Sequence, residues 1–305
     1  MIHFIARRLV NLVFALFVLA TLIFFMVRAL PGGPFDREKP LPPEVVKNLE
    51  AYYGLDKSLG EQYVAFLANA ARGDFGPSYA SRGDTVGALI LRHLPVSAEL
   101  GLWALILAVA LGIPLGVLAA YYHNTWVDFL ATFLAVLGRS IPTIALAPLL
   151  ILIFAQTLRW LPTARFDTPA HRVLPTLALG LGMAALIARL ARSSMLQVIR
   201  EDYIRTARAK GLGEFPVVFV HALRNALIPV VTLLGPLLAV VVTGTFIVEV
   251  FFAVPGLGRY YITSIGTRDY PVIMGTSLLF GAVIMVMNAL VDILYSWIDP
   301  RIRLE

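Results

Sequence analysis

Six stretches of this 305-residue chain are apolar and long enough to cross a lipid bilayer, at roughly 9–30, 98–121, 129–158, 174–193, 226–252 and 272–297. Each approaches or exceeds the ~20 residues that a helix rising ~1.5 Å per residue needs to span ~30 Å of hydrocarbon. The two-residue alternation of barrel strands is absent, so the spans read as helices. Only 14% of residues are charged, against about 25% in an ordinary soluble domain. The chain is expected to be an all-α integral membrane protein with six transmembrane helices. Arg7 and Arg8 precede the first run as in a signal peptide, but no small-residue cleavage site interrupts it up to Val27, so it reads as a retained helix.

One polar stretch stands out between two of these runs: residues 200–229, REDYIRTARAKGLGEFPVVFVHALRNALIP. It must fold in water while its flanks sit in lipid. Residues 200–210 suit a short surface helix with Ile204 and Ala207 on one face and Arg205, Arg208 and Lys210 supplying charge. Gly211 and Gly213 are expected to end it in the left-handed cap that glycine takes without steric cost. Pro216 fits the first turn of the next helix. The basic residues give the orientation: with a cytoplasmic N-terminus, Arg7, Arg8, Arg189, Arg192, Arg200, Arg205, Arg208, Lys210, Arg224, Arg301 and Arg303 lie inside. Only Arg159, Arg165, Arg172, Arg259 and Arg268 fall in short outer loops. Both termini and the polar stretch are therefore expected in the cytoplasm.

Residues 31–95 form a water-exposed insert after the helix-breaking run Leu30–Pro34. Pro42 and Pro43 suit a helix start and Gly54 a stop, a second helix is expected from Ser58 to Ala71, and a third from the cap Asp84 to Leu94, ahead of Pro95. The parts are thus a first helix (1–30), a helical insert packed on the outer face (31–95) and a core (96–305) carrying the polar loop at 200–225. Within the third run, Pro142 and Pro148 are expected to kink the helix. Arg139 beside them either faces the protein interior or snorkels to an interface. The fifth run carries the hydroxyls Thr232, Thr243 and Thr245 and the small residues Gly235 and Gly244, suited to close helix packing. Pro255, Gly256, Leu257 and Gly258 read as a rigid turn that caps an opening. In the last run, Asn288, Asp292, Tyr295 and Asp299 share one face, Asp292 being intramembrane and suited to hydrogen bonding with a neighbouring helix.

Several chemistries are excluded. There is no cysteine, hence no disulfide and no thiolate chemistry. None of the four lysines follows a glycine, so the phosphate-binding loop of ATPases is missing. The five histidines are scattered and form no metal-binding pattern, and no nucleophile elbow occurs. The pI near 9.7 reflects arginines flanking spans rather than a nucleic-acid surface. An ion-coupled secondary transporter would need charged, discontinuous helices at mid-membrane and an internal repeat, neither of which is evident.

TARAKGLGE (206–214) followed by HALRNALIPV (221–230) resembles the cytoplasmic EAA coupling loop of binding-protein-dependent ABC importer permeases. Placing its glycine at Gly211 matches Ala207 but not Arg205 or Thr206, and later Leu223 but not Arg224, the proline coming at Pro229. That departure is the form common in the dipeptide and oligopeptide branch. FIARRLVNLVF, LPPEVVKNLEAYYGL, GDFGPS, VEVFFAVPGLGR, RDYP and NALVDILYSWIDPRIR, in this order, resemble the B-type subunit of an oligopeptide permease. The resemblance implies the type I ABC importer permease fold, in a bacterial inner membrane, and no enzyme activity in the chain itself. It implies as partners a second, similar permease, two ABC ATPase subunits that bind ATP and Mg, and an extracytoplasmic peptide-binding protein. Glu201, Tyr203, Arg205, Thr206, Ala207, Arg208, Ala209, Lys210, Gly211 and Leu212 would form the coupling helix and its end. Arg139 has no counterpart in the family pattern. Glutathione, nickel chelates and sugars remain alternative substrates to peptides.

Overall fold

A computed structural model describes residues 2–30, 32–35, 42–81, 83–242 and 245–298, with backbone alone for 2–6, 239, 242 and 291–298. The regular structure among the described residues is helical, with one isolated bridge between Pro77 and Thr85. The elements are α1 (Ile2–Ala29), α2 (Pro43–Tyr53), α3 (Leu59–Ala70), α4 (Val86–Tyr121), α5 (Trp126–Ser140), α6 (Thr143–Leu150) and α7 (Pro169–Val198). They continue with α8 (Asp202–Ala209), α9 (Glu214–Pro216), α10 (Leu223–Ala226), α11 (Ile228–Val242), α12 (Phe246–Phe251), α13 (Leu257–Thr267) and α14 (Tyr270–Ile298). Wider π-helical turns follow α6 (Ile151–Thr157) and α9 (Val217–Ala222). Among the described residues, four helices are long and apolar enough to cross a membrane, or up to six if two bent pairs each count as one span.

The architecture rests on α4 and α7, which pack with their backbones almost in contact. A Cβ on Gly112 would sit 2.7 Å from the Ala184 carbonyl, and one on Gly116 would collide with the Ala188 carbonyl. Ala104, Ala108, Ala119 and Ala120 on α4 are buried, as are Ala178, Ala184, Ala188 and Ala191 on α7. In lipid no hydrophobic force drives helices together, so van der Waals contact between small residues must. α11 joins the same way, Gly101 of α4 lying against the backbone of Val241.

Several expectations change. The helix from residue 86 does not stop at Leu94 but runs through Pro95 into the span. Leu89, Ile90, His93, Ser97 and Leu100 are all buried, and this continuous face outweighs the hydrogen bond that the proline removes. Its cap is Thr85, whose side chain accepts from the Ala88 N–H at 3.2 Å, while Asp84 faces Arg92 at 3.4 Å. The third apolar run breaks at Ile141 and Pro142, α5 and the following helix meeting at 101°, because the residue before a proline is pushed to extended backbone. The fifth run bends by 45° near Leu227 and resumes as the separate α12. Thr243 and Gly244 lie outside the described residues.

The first two insert helices form as expected. Gly54 ends α2 in the left-handed conformation (φ 67°), and Ser58 and Glu61 form a capping box on α3. That hydroxyl and the Ser58 N–H hold the Glu61 carboxyl below its usual range, so this cap is present above the ordinary carboxylate pKa and is lost in acid. The insert docks where α1 ends and α14 begins: Phe24 stacks on Phe66 at 5.6 Å, and the Arg28 guanidinium donates to Gln62 at 2.9 Å. Asp269 ties the junction, accepting from the Ser78 hydroxyl at 2.5 Å and the Ala80 N–H at 3.1 Å.

Gly116→Leu should separate α4 from α7 and cost about 3 kcal/mol or more, since the obstacle is backbone rather than a movable side chain. Gel filtration in detergent should show loss of the monodisperse, folded chain.

Candidate coupling surface

The polar stretch leaves α7 at Val198, turns through Ile199–Glu201 and forms α8 with Glu201 at its N-cap. Asp202 in the first turn and Arg208 in the last complement the helix dipole. Ile204 and Ala207 are buried against Val117 and Ala120 of α4, Met195 of α7, and Val217, Val218 and Ala222 beyond the turn. Burying a side chain the size of Ile204 is worth about 1.5–3 kcal/mol. This anchor makes α8 part of the helix pair rather than a free loop.

Everything else on α8 faces out. Glu201, Tyr203, Arg205, Thr206, Arg208, Ala209, Lys210, Gly211 and Leu212 are exposed, and only Ala207 of the sequence-selected set is buried. Lys210 is the C-cap and Gly211 takes φ 82°, with nothing within 4 Å of where a Cβ would be. Gly213 does not take the left-handed conformation expected of it; at φ −64° it is the N-cap of α9. One left-handed residue suffices to reverse the chain here. Arg208 then donates to Glu214 through Nε at 2.8 Å and Nη2 at 3.1 Å, a two-point brace across the reversal. Asn225 donates to the Tyr203 hydroxyl at 2.8 Å, tying α8 to α10. Phe215 and Val220 extend the exposed surface with apolar side chains, and sequence reasoning had not singled them out.

The other selected residues lie elsewhere. Pro255 is exposed, but Gly256, Leu257 and Gly258 are buried at the start of α13. Gly256, the N-cap, has no side chain to cap with. Its place is taken by Glu249 of α12, fully buried, whose Oε2 accepts from the Arg259 N–H at 3.0 Å, while Ser97 of α4 accepts from the Leu257 N–H at 2.8 Å. A Cβ on Gly256 would run into both the Glu249 carboxylate and the Ser97 hydroxyl. Glu249 is the lone acid of the fifth apolar run, the signal by which it was findable. Arg139 is exposed on α5 and Asn288 on α14, the latter lining a cleft with Arg7, Arg8 and Asn11. The Asp292 side chain and Asp299 lie outside the described residues. A further tie that the sequence reading passed over is Asp128 at the start of α5. It is buried and accepts from Arg192 at 2.6 and 2.8 Å and from the Asn124 N–H at 3.0 Å. Among the described residues no group of His, Cys, Asp and Glu side chains is placed to hold a metal ion.

The described residues thus form a bundle of long apolar helices that carries, on one anchored short helix and its reversal, an exposed polar surface. Residues 112–304 match the family described as "Binding-protein-dependent transport system inner membrane component", and residues 1–100 match the N-terminal region of such components. The chain belongs to this family and is a multi-pass permease subunit. It is 47% identical to the dipeptide transport system permease protein DppB of Bacillus subtilis over 305 residues, covering all of this chain and 99% of that one. It is 43% identical to the oligopeptide transport system permease protein OppB of Salmonella typhimurium, covering 99% of this chain and 100% of that one. In fold it is similar to a chain of the MetNI methionine ABC transporter, with TM-score 0.56 and 19% identity over 69% of this chain and 96% of that one.

Gly256→Ala should lower the thermal midpoint of the purified protein, equivalent to about 1–3 kcal/mol, because the added methyl meets a buried carboxylate. Pro255→Ala, on the exposed side of the same turn, should leave the midpoint unchanged.

Proposed function

We propose that the chain is the membrane-spanning half-pathway of an ATP-driven importer of dipeptides or oligopeptides, and that α8 is its coupling helix. The observation that carries this reading is the division of α8 into a buried anchor, Ile204 and Ala207, and an exposed remainder rigidly held by Arg208–Glu214 and Tyr203–Asn225. The substrate class follows the names of the relatives, which are dipeptide and oligopeptide permeases. In this reading the bent pairs α5/α6 and α9–α11 count as single spans, giving six, with both termini and α8 in the cytoplasm. The first helix (1–30) and the insert (31–95) precede the core (96–305), α4 running through the last boundary. A second, homologous permease completes the pathway, two ABC ATPases bind ATP and Mg, and an extracytoplasmic binding protein delivers the peptide.

The mechanism is leverage. Exposed Tyr203, Arg205, Leu212 and Phe215 offer apolar and cationic contacts to a groove on an ATPase, while Ile204 transmits any displacement to α4 and Met195 to α7. Closure of the ATPase pair on ATP then tilts helices that are packed as one body, a two-state transition biased from the docking site. Residues 254–258 hold the opposite end of the same assembly, where α13 is seated on Ser97 of α4.

A single cysteine at exposed Ala209 in the assembled complex should cross-link to a cysteine in the ATPase groove, whereas one at buried Ala207 should not. If no position from 201 to 212 cross-links, α8 is not the docking element. Gly211→Val places a branched side chain at φ 82°, at a cost of about 1–2 kcal/mol. It should lower transport per ATP hydrolysed without reducing the amount of inserted permease; unchanged transport in proteoliposomes would show the reversal to be incidental.

A further inference from the structure

α5 and α7 run antiparallel: Asp128 pairs with Arg192 near one end, and Gly138 lies against Leu181 and Ala185 further along. Helical side chains lean toward the N-terminus of their own helix. Arg139 on α5 and Arg189 on α7 therefore lean toward each other from opposite directions. Together with Arg192 they line one cavity of about 310 Å³ between α4, α5 and α7. Asp128 is fully engaged by Arg192, Asn124 and His123. Neither Arg139 nor Arg189 makes an ion pair or hydrogen bond with any described residue. Of the three guanidiniums that line the cavity only Arg192 thus has a carboxylate, and Arg139 and Arg189 are left without an anion among the described residues.

The cavity does not end at the arginines. A second cavity of about 310 Å³ adjoins it, sharing Leu115, Ala135, Ala185 and Ala188, and its remaining lining is wholly apolar, including Leu111, Leu134, Leu137, Ile141 and Leu181. The combined shape is cationic at one end and aliphatic at the other. We propose that it is a binding site for an anionic phospholipid, its phosphate held by Arg139 and Arg189 and one acyl chain lying along α5 toward Ile141. The guanidinium fork matches phosphate oxygens two at a time, and basic pockets between membrane helices bind anionic headgroups. A peptide fits the apolar half poorly, because each residue carries backbone N–H and C=O groups that this lining cannot satisfy, whereas an acyl chain carries none. Arg139, which the family pattern does not require, thereby has a partner: it adds the second free charge.

The test uses the permease purified with the subunits that assemble with it, delipidated and then offered phosphatidylglycerol against phosphatidylcholine, with bound lipid quantified by native mass spectrometry. Phosphatidylglycerol should be retained preferentially, and Arg139→Gln should weaken its retention roughly fivefold, the effect of one basic side chain at an anionic surface. Arg139 makes no bond with a described residue, so the variant should keep the wild-type thermal midpoint without added lipid. Ala135→Leu, which fills the junction of the two cavities with all three arginines intact, should also release the lipid. Equal retention of the two lipids, or wild-type retention of phosphatidylglycerol by both variants, would overturn the proposal. So would efficient cross-linking of a cysteine at residue 135 to the second permease, since a protein helix would then fill the groove.

Discussion

The contact between α4 and α7 is the constraint from which the remaining structure follows. Two helices held at backbone distance by Gly112, Gly116 and Gly180 cannot slide or tilt independently, since any side chain in the seam meets a carbonyl or a neighbouring Cβ. Other elements attach to this pair: α5 through Asp128 and Arg192, α8 through Val117, Ala120 and Met195, and α13 through Ser97. Close packing of small residues gives little energy per contact, but it leaves few alternative arrangements. That is what a body transmitting motion from one end to the other needs.

Buried carboxylates do the joining where apolar packing is too unspecific. Asp128, Glu249 and Asp269 are each at most 3% exposed and each accepts a hydrogen bond from a backbone N–H, Asp128 and Asp269 also from a polar side chain. Asp128 joins α5 to α7, Glu249 joins α12 to α13, and Asp269 joins the insert to α14. Charge-assisted bonds of this kind are directional and strong where water is scarce. All three fix junctions between helices rather than helix interiors, so the joints are specified while the spans stay apolar.

The long apolar helices α1, α4, α7 and α14 were legible in the sequence because hydrophobic length is a one-dimensional property. So were the local endings, such as Gly54, the Ser58 cap and the left-handed Gly211, since each depends on neighbours in the chain. What escaped was long-range. Pro95 reads as a helix end until the face buried on both sides of it is known, and Gly213 reads as a second cap until the chain is seen to have already reversed. Ala207 looked as available as Ala209, although only the packing of Ile204 decides which faces inward. Glu249 was visible as the lone acid of an apolar run and Asp128 as the acid just ahead of one, but their partners lie on other elements. Gly256 looked like part of a loop, and only the position of Glu249 shows why no side chain fits there.

The tie between Ser78 and Asp269 spans 191 residues of sequence. A ribosome adds roughly 5–20 residues per second, so the insert is synthesised roughly 10–40 s before the group that fastens it emerges. During that interval α2 and α3 have α1 but no α14 to rest on, and their apolar faces stay uncovered. Closure of the insert must therefore wait for Asp269 and the first turns of α14, however early its own two helices form.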